Sequence, residues 1–332
     1  MQVRRTILKG IAACYAASAL LGSSAAAHSE PLSVQLSWLV DAGSIGEVVA
    51  LQKGYFADRG LDVELLPGGP TANAIQELLG GTVDIAVGYA PQIMYAANNK
   101  LPIISFAATF QKAPLTFFSL GEKNIMSIKD WKGMRIGSAQ SALPQVIAIL
   151  DYNGLSLEDI TFVQAQVPAL LQDQVDVVGA WPTNTAALEP VTSNPGGYNT
   201  QSIWDNGLQF QSNYLIATKP TLDEKADLLA AYLEAVDAGW SFAADNPGEA
   251  IDILVAYAPA LNPEKERAAL DVMVSEYVFT DETMEYGFGN VSSERWQQTL
   301  DTYIAIGEID SSMTHADVFD SRILDSVETT KR

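Results

Sequence analysis

Residues 65–92 read LLPGGPTANAIQELLGGTVDIAVGYAPQ. A strand-like run ends in Pro67-Gly68-Gly69-Pro70, a helical pattern follows over residues 71–79, and residues 83–89 are again strand. A glycine-rich turn between strand and helix is also the outline of a phosphate-binding loop. No Lys-Ser or Lys-Thr pair follows the glycines, however, and no Gly-x-Gly-x-x-Gly is present, so neither nucleotide fingerprint is met. Gly68 and Gly69 let the backbone approach a ligand, and Thr71 and Asn73 offer side-chain hydrogen bonds beside a helix N-terminus. The stretch reads as one wall of a ligand cleft, or more plainly as a turn followed by a helix cap.

Outward from this stretch the alternation continues. Residues 32–38 form a strand, 46–53 a helix closing at Gly54, and 61–66 a strand that alternates apolar and acidic positions. Helix 92–98 and strand 102–110 follow. Strands alternating with helices of about ten residues predict βα units and a mostly parallel sheet. The pattern then restarts, with strands at 160–165 and 175–181 and a helix at 143–152.

LLGGTVDIAVGYAP (78–91) aligns with LLQDQVDVVGAWPT (170–183) at a constant offset of 92. Val83-Asp84 meets Val175-Asp176, and Tyr89 meets Trp181 where each strand ends. Ligands of open α/β sheets sit outside the carboxyl ends of the strands. Two facing lobes would therefore present Tyr89 and Trp181 from opposite walls of a cleft. A strand over 210–217 is expected to return to the first lobe, and the remainder is helical. Thr221-Leu-Asp-Glu224 reads as a capping box, Asn246-Pro247 and Asn262-Pro263 as helix starts, and Trp240 and Trp296 as core residues.

The chain of 332 residues, 48% hydrophobic and 18% charged, fits an ordered protein of two domains or one large one. Its first 27 residues combine Arg4, Arg5 and Lys9, a short apolar run and Ser23-Ser24-Ala25-Ala26-Ala27. That is the three-part form of a secretory signal with cleavage before His28, by the general or the twin-arginine route. Periplasmic localisation is expected. Removing those three bases takes the net charge from −21 to −24, which argues against nucleic acid or an anionic membrane surface as partner. Cys14 is the only cysteine and the two histidines are His28 and His315. Disulfides, a thiolate or histidine metal site, a cysteine nucleophile and a histidine-based triad are therefore not expected.

LQKGYFADRGLDVE (51–64), then Pro67-Gly-Gly-Pro70, then VDIAVG (83–88) resembles the substrate-binding proteins of ABC importers. The likeness is to the group of thiamine-pyrimidine-precursor binders, with sulfonate, taurine and nitrate binders as cousins. It implies an α/β protein with the two-lobe periplasmic binding protein fold of type II. Each lobe would be a mostly parallel sheet flanked by helices, with a helical C-terminal part packed on lobe 1. Lobe 1 would comprise residues 28–112 and 212–332, and lobe 2 residues 113–211. The implied protein is a monomer without cofactor or catalytic activity. Its partners are a small molecule and an ABC permease with its ATPase.

The pyrimidine binders often carry Trp, Asn, His and Gly after the first strand, where this chain has Trp38, Asp41, Ser44 and Gly46. Aspartate accepts from ring amines but does not donate as an amide does. Trp38, Tyr89 and Trp181 fall at strand ends and would sandwich a flat heteroaromatic ring, unless they pack in the core. Gln92 and Asn184 would read ring edges, and Gly69, Asn73, Asp41 and Ser44 complete the expected ligand set. Ser138, at the first helix of lobe 2, would hold an anionic group if the ligand were a sulfonate or nitrate. A pyrimidine-synthase-like enzyme is a further reading, although the histidine such enzymes consume is replaced by Ser44.

Overall fold

The computed structural model describes residues 29–69 and 72–332; the expected signal segment and Thr71 lie outside the described residues. Among the described residues ten strands form two five-stranded sheets. They are β1 (Glu30–Gln35), β2 (Leu61–Leu66), β3 (Ile85–Gly88), β4 (Ile103–Phe110), β5 (Thr116–Leu120), β6 (Arg135–Ser138), β7 (Thr161–Gln164), β8 (Val177–Ala180), β9 (Tyr198–Ser202) and β10 (Ser212–Thr218). The orders are β2-β1-β3-β10-β4 and β7-β6-β8-β5-β9.

Each sheet has a parallel nucleus, β2-β1-β3 or β7-β6-β8. To that nucleus each adds two antiparallel pairings made by a strand that arrives from the other lobe, β10 or β5. The sheets are thus mixed, because a chain crossing back over the hinge enters against the βα direction. In β2 the predicted alternation is visible, with Leu61, Val63 and Leu65 buried and Asp62 and Glu64 exposed. The edge strand β4 is covered by the C-terminal segment, where Ala108 N donates to Gly289 O and Asp320 N to Ser105 O. Covering an edge in this way protects its free ladder groups.

The repeat read at offset 92 has a structural counterpart. Asp84, just before β3, accepts from Ser33 N at 3.0 Å and pairs with Lys225 at 2.6 Å. Asp176, just before β8, accepts from Arg135 N at 3.0 Å and takes the Arg135 guanidinium and Lys123 as well. In both lobes an aspartate side chain ties the entry of the third strand to the first. That fixes where the strand ends, and so where Tyr89 and Trp181 emerge.

Two crossings join the lobes. Ala113 N donates to Phe210 O at 2.7 Å and Ile203 N to Leu115 O at 3.1 Å. Buried Gln211 donates through Nε2 to Gln111 Oε1 at 2.8 Å, and both amides reach Asn290 O. The crossings are held together as a pair, not as two independent strings.

Lobe 1 is faced by helices on both sides. Helix Ile45–Gln52 crosses helix Ala226–Asp245 at Gly46 and Gly239, where a Cβ on Gly239 would be driven into the Gly46 carbonyl and one on Gly46 into the Trp240 ring. Trp240 and Trp296 are fully buried, as expected of core residues. One cap differs from the sequence reading. Thr218, not Thr221, starts helix Lys219–Glu224, because Pro220 occupies its first turn and Thr218 Oγ1 accepts the Thr221 amide.

Candidate functional site

The carboxyl ends of β1, β3 and β8 converge where the lobes meet. Tyr89 follows β3 and Trp181 follows β8. Their rings meet edge to face with centroids 5.6 Å apart and planes at 85°. Both are half-buried, and Trp181 packs against two apolar clusters, one within lobe 1 and one that runs from lobe 1 into lobe 2. The lobes also touch at helix Thr185–Thr192, where Thr185 Oγ1 donates to Lys265 O of helix Pro263–Met273 at 3.2 Å.

Behind this pair, after β1, lies a small cavity of about 10 Å³ lined by Ser37, Trp38, Asp41, Ser44, Glu47, Val87 and their neighbours. Trp38 is 48% exposed, so it stands at the rim and not in the core. Burial pushes the ionisation of the Tyr89 hydroxyl up, the Ser37 side chain opposes this, and nearby Asp41 adds to it. Asp41 caps the turn into helix Ile45–Gln52, with Oδ1 accepting Gly43 N at 2.8 Å. Ser44 answers it, its hydroxyl accepting Asp41 N and donating to Asp41 O. Burial pushes the Asp41 carboxyl up to about 6, the Gly43 amide opposes this, and nearby Glu266 adds to it.

The loop 67–69 leans on this segment. Gly68 N donates to Trp38 O at 2.8 Å, and a Cβ on Gly68 would strike the backbone at Leu36–Trp38. Gly69, at φ 146°, holds a backbone that L side chains rarely adopt. Only glycines let the loop lie that close to the strand end carrying Trp38.

The expected edge-reading amides have local duties. Gln92 Oε1 accepts Tyr89 N at 3.0 Å. Asn184 is an exposed N-cap whose Oδ1 accepts Ala187 N, and Asn73 caps helix Ala74–Gly80 by accepting Gln76 N. Ser138 is buried at the end of β6, with its Oγ pressed toward Gly179. Beside it, on lobe 2, a wider opening of about 350 Å³ is lined by Ala139, Gln164, Ala165 and Gln166. Tyr89 and Trp181 are therefore brought together, Trp38, Asp41 and Ser44 form a second group beside them, and Ser138 stands apart.

Sequence reasoning missed Glu47. It is 2% exposed, and burial pushes its carboxyl up to about 7. Its Oε2 has no hydrogen-bond partner among the described residues. The signal was available, since Glu47 is the sole charge in the otherwise apolar-rich helix IGEVVALQ.

Two lobes of 2-1-3-n-4 strand order, hinged by paired crossings and meeting over strand ends, define the architecture of periplasmic binding proteins. The aliphatic sulphonate binding protein SsuA of Escherichia coli shares it, with a TM-score of 0.67 at 17% identity over 86% of this chain and 95% of that one. The chain belongs to the NMT1/THI5-like family, whose model matches residues 41–250. Among its relatives, a formylaminopyrimidine-binding protein of Halalkalibacterium halodurans is 25% identical over 88% of this chain and 90% of its own. A putative thiamine biosynthesis protein of Haemophilus influenzae is 28% identical over 69% and 74% respectively.

Proposed function

We propose that this protein is the exported, non-catalytic solute receptor of an ABC importer. It captures a small planar heteroaromatic molecule between lobe 1 (28–112 and 212–332) and lobe 2 (113–211) and presents the closed form to a permease and its ATPase. The observation that carries this reading is the meeting of Tyr89 and Trp181 from opposite lobes at equivalent strand ends. A ring inserted there would gain stacking of roughly 0.5–1.5 kcal/mol per aromatic beyond its burial. The formylaminopyrimidine-binding relative supports the same ligand class. The receptor acts as a monomer in the periplasm. The enzyme reading lacks support in the residues, since Ser44 stands where the consumed histidine would be.

A thermal-shift panel tests the proposal with aminopyrimidines, riboflavin, taurine, alkanesulfonates and nitrate. A ligand at a hundredfold over its Kd adds about 2.7 kcal/mol, which moves the midpoint by several degrees. A shift with a heteroaromatic compound is the expected result. A shift with sulfonate or nitrate alone would overturn it, make the aromatic pair a packing feature and move recognition to the Ser138 end of lobe 2.

A further inference from the structure

Glu47 sits in a setting that does not keep a carboxylate without reason. Its helix is pinned against Ala226–Asp245 at the Gly46–Gly239 crossing, and the side chain is 2% exposed, with the cavity after β1 as its one described opening. Two polar groups close to Glu47 or to that crossing, the Tyr232 hydroxyl and Trp240 Nε1, supply no cation. Both are themselves buried and have no hydrogen-bond partner among the described residues. Removing a carboxyl from water without a partner costs several kcal/mol, and a buried charge is normally paired or neutralised.

Glu47 shares the cavity after β1 with Asp41, and no Lys, Arg or His lines that cavity. The third acid nearby is already engaged, with Glu266 Oε2 accepting Ala42 N at 2.8 Å. Among the described residues no protein donor reaches Glu47 Oε2, on a side chain more than nine-tenths buried, whereas the Asp41 carboxylate beside it is partly engaged by its capping box with Gly43 and Ser44. Volume sets what fits. A space of about 10 Å³ takes one water-sized group. It is too small for a ring and large enough for one amino nitrogen, and exposed Trp38 stands at its rim.

We propose that Glu47 and Asp41 form a carboxylate subsite that receives an amino or protonated nitrogen of the ligand. The ligand is then an amino-substituted or cationic nitrogen heterocycle, and anions are rejected by the same two side chains. The inference rests on the reading of the interlobe cleft as the solute site and adds the chemistry of one ligand edge to it.

Calorimetric titration of the wild type and Glu47→Gln with 4-amino-2-methylpyrimidine and 4-methoxy-2-methylpyrimidine tests it. The two probes share a ring and differ in whether they donate at position 4. The wild type is expected to prefer the amino compound by at least about tenfold, or 1.4 kcal/mol. Glu47→Gln is expected to bring the two to near parity, chiefly by weakening the amino compound. A purely structural Glu47 would change both affinities together, so the ratio is the readout. Binding of both probes with no preference in the wild type, or with the preference kept in Glu47→Gln, overturns the subsite and leaves the heteroaromatic receptor standing. Binding of taurine or nitrate in place of either pyrimidine overturns both.

Discussion

Tyr89 and Trp181 occupy the same place in two halves of one chain, each the first residue beyond its strand, and they touch across the gap between lobes. Replacing Trp181 with Ala removes one side of that contact. Ligand affinity is expected to fall at least tenfold, about 1.4 kcal/mol, with the circular dichroism spectrum unchanged. Equal affinities in calorimetric titration would show that the pair is mere packing.

Glu47 makes stability depend on pH in a defined direction. Its carboxyl ionises near the ordinary 4.5 when unfolded and near 7 when folded, because burial penalises the charge. Between those values the folded state holds the proton more tightly, so this group's contribution to stability falls as pH rises through the window. The change is on the order of 3 kcal/mol at most, at 1.36 kcal/mol per unit. Glu47→Gln lacks this loss. Its stability advantage over the wild type, read by urea unfolding, should therefore widen from pH 4.5 to 7. A gap that stays flat would mean that Glu47 is not held in a desolvated site.

The helix crossing gives a contrasting pair of glycine substitutions. Gly46→Ala forces a methyl into the Trp240 ring and should destabilise by about 1–3 kcal/mol. Gly248→Ala, in the first turn of helix Pro247–Tyr257 with open space around it, should be neutral or stabilise by up to about 1 kcal/mol. Denaturant midpoints for the two variants check both signs at once.

Asp176 works oppositely to Glu47. The Arg135 guanidinium beside it holds its carboxyl well below the usual carboxylate range, with the Arg135 amide and Lys123 assisting. Its contribution is present above that range and lost as pH falls through it. Asp176→Ala strands the Arg135 amide and should cost about 1–3 kcal/mol at neutral pH. The loss should shrink in acid; a constant loss would assign the effect to packing alone.

The architecture was legible in the sequence because its signals are local and periodic. The 92-residue offset placed Tyr89 and Trp181 at equivalent strand ends, and the alternation in 61–66 gave a strand with one wet face. Site chemistry was less legible. Asn73, Gln92 and Asn184 look like ligand readers because amides are versatile, yet each side-chain oxygen is used by a nearby backbone N–H. Glu47 escaped notice for the reverse reason. Whether a lone acid in an apolar helix is snorkelling or sealed depends on the Gly46–Gly239 approach, a contact between residues far apart in the chain. The antiparallel strand in each sheet likewise depends on a return path that local periodicity does not encode.

The position of β10 has a consequence for the order in which the molecule assembles. It lies between β3 and β4, so the first sheet stays split until residue 218 is available. The inserted lobe has all five of its strands by residue 202. A chain emerging from its N-terminus can therefore complete the second lobe while the first waits with β3 and β4 unzipped. Exposed strand edges of that kind invite mispairing. The bottleneck in maturation should fall on the outer lobe, and substitutions within 212–218 should lower yield more than equally buried ones in β6 or β8.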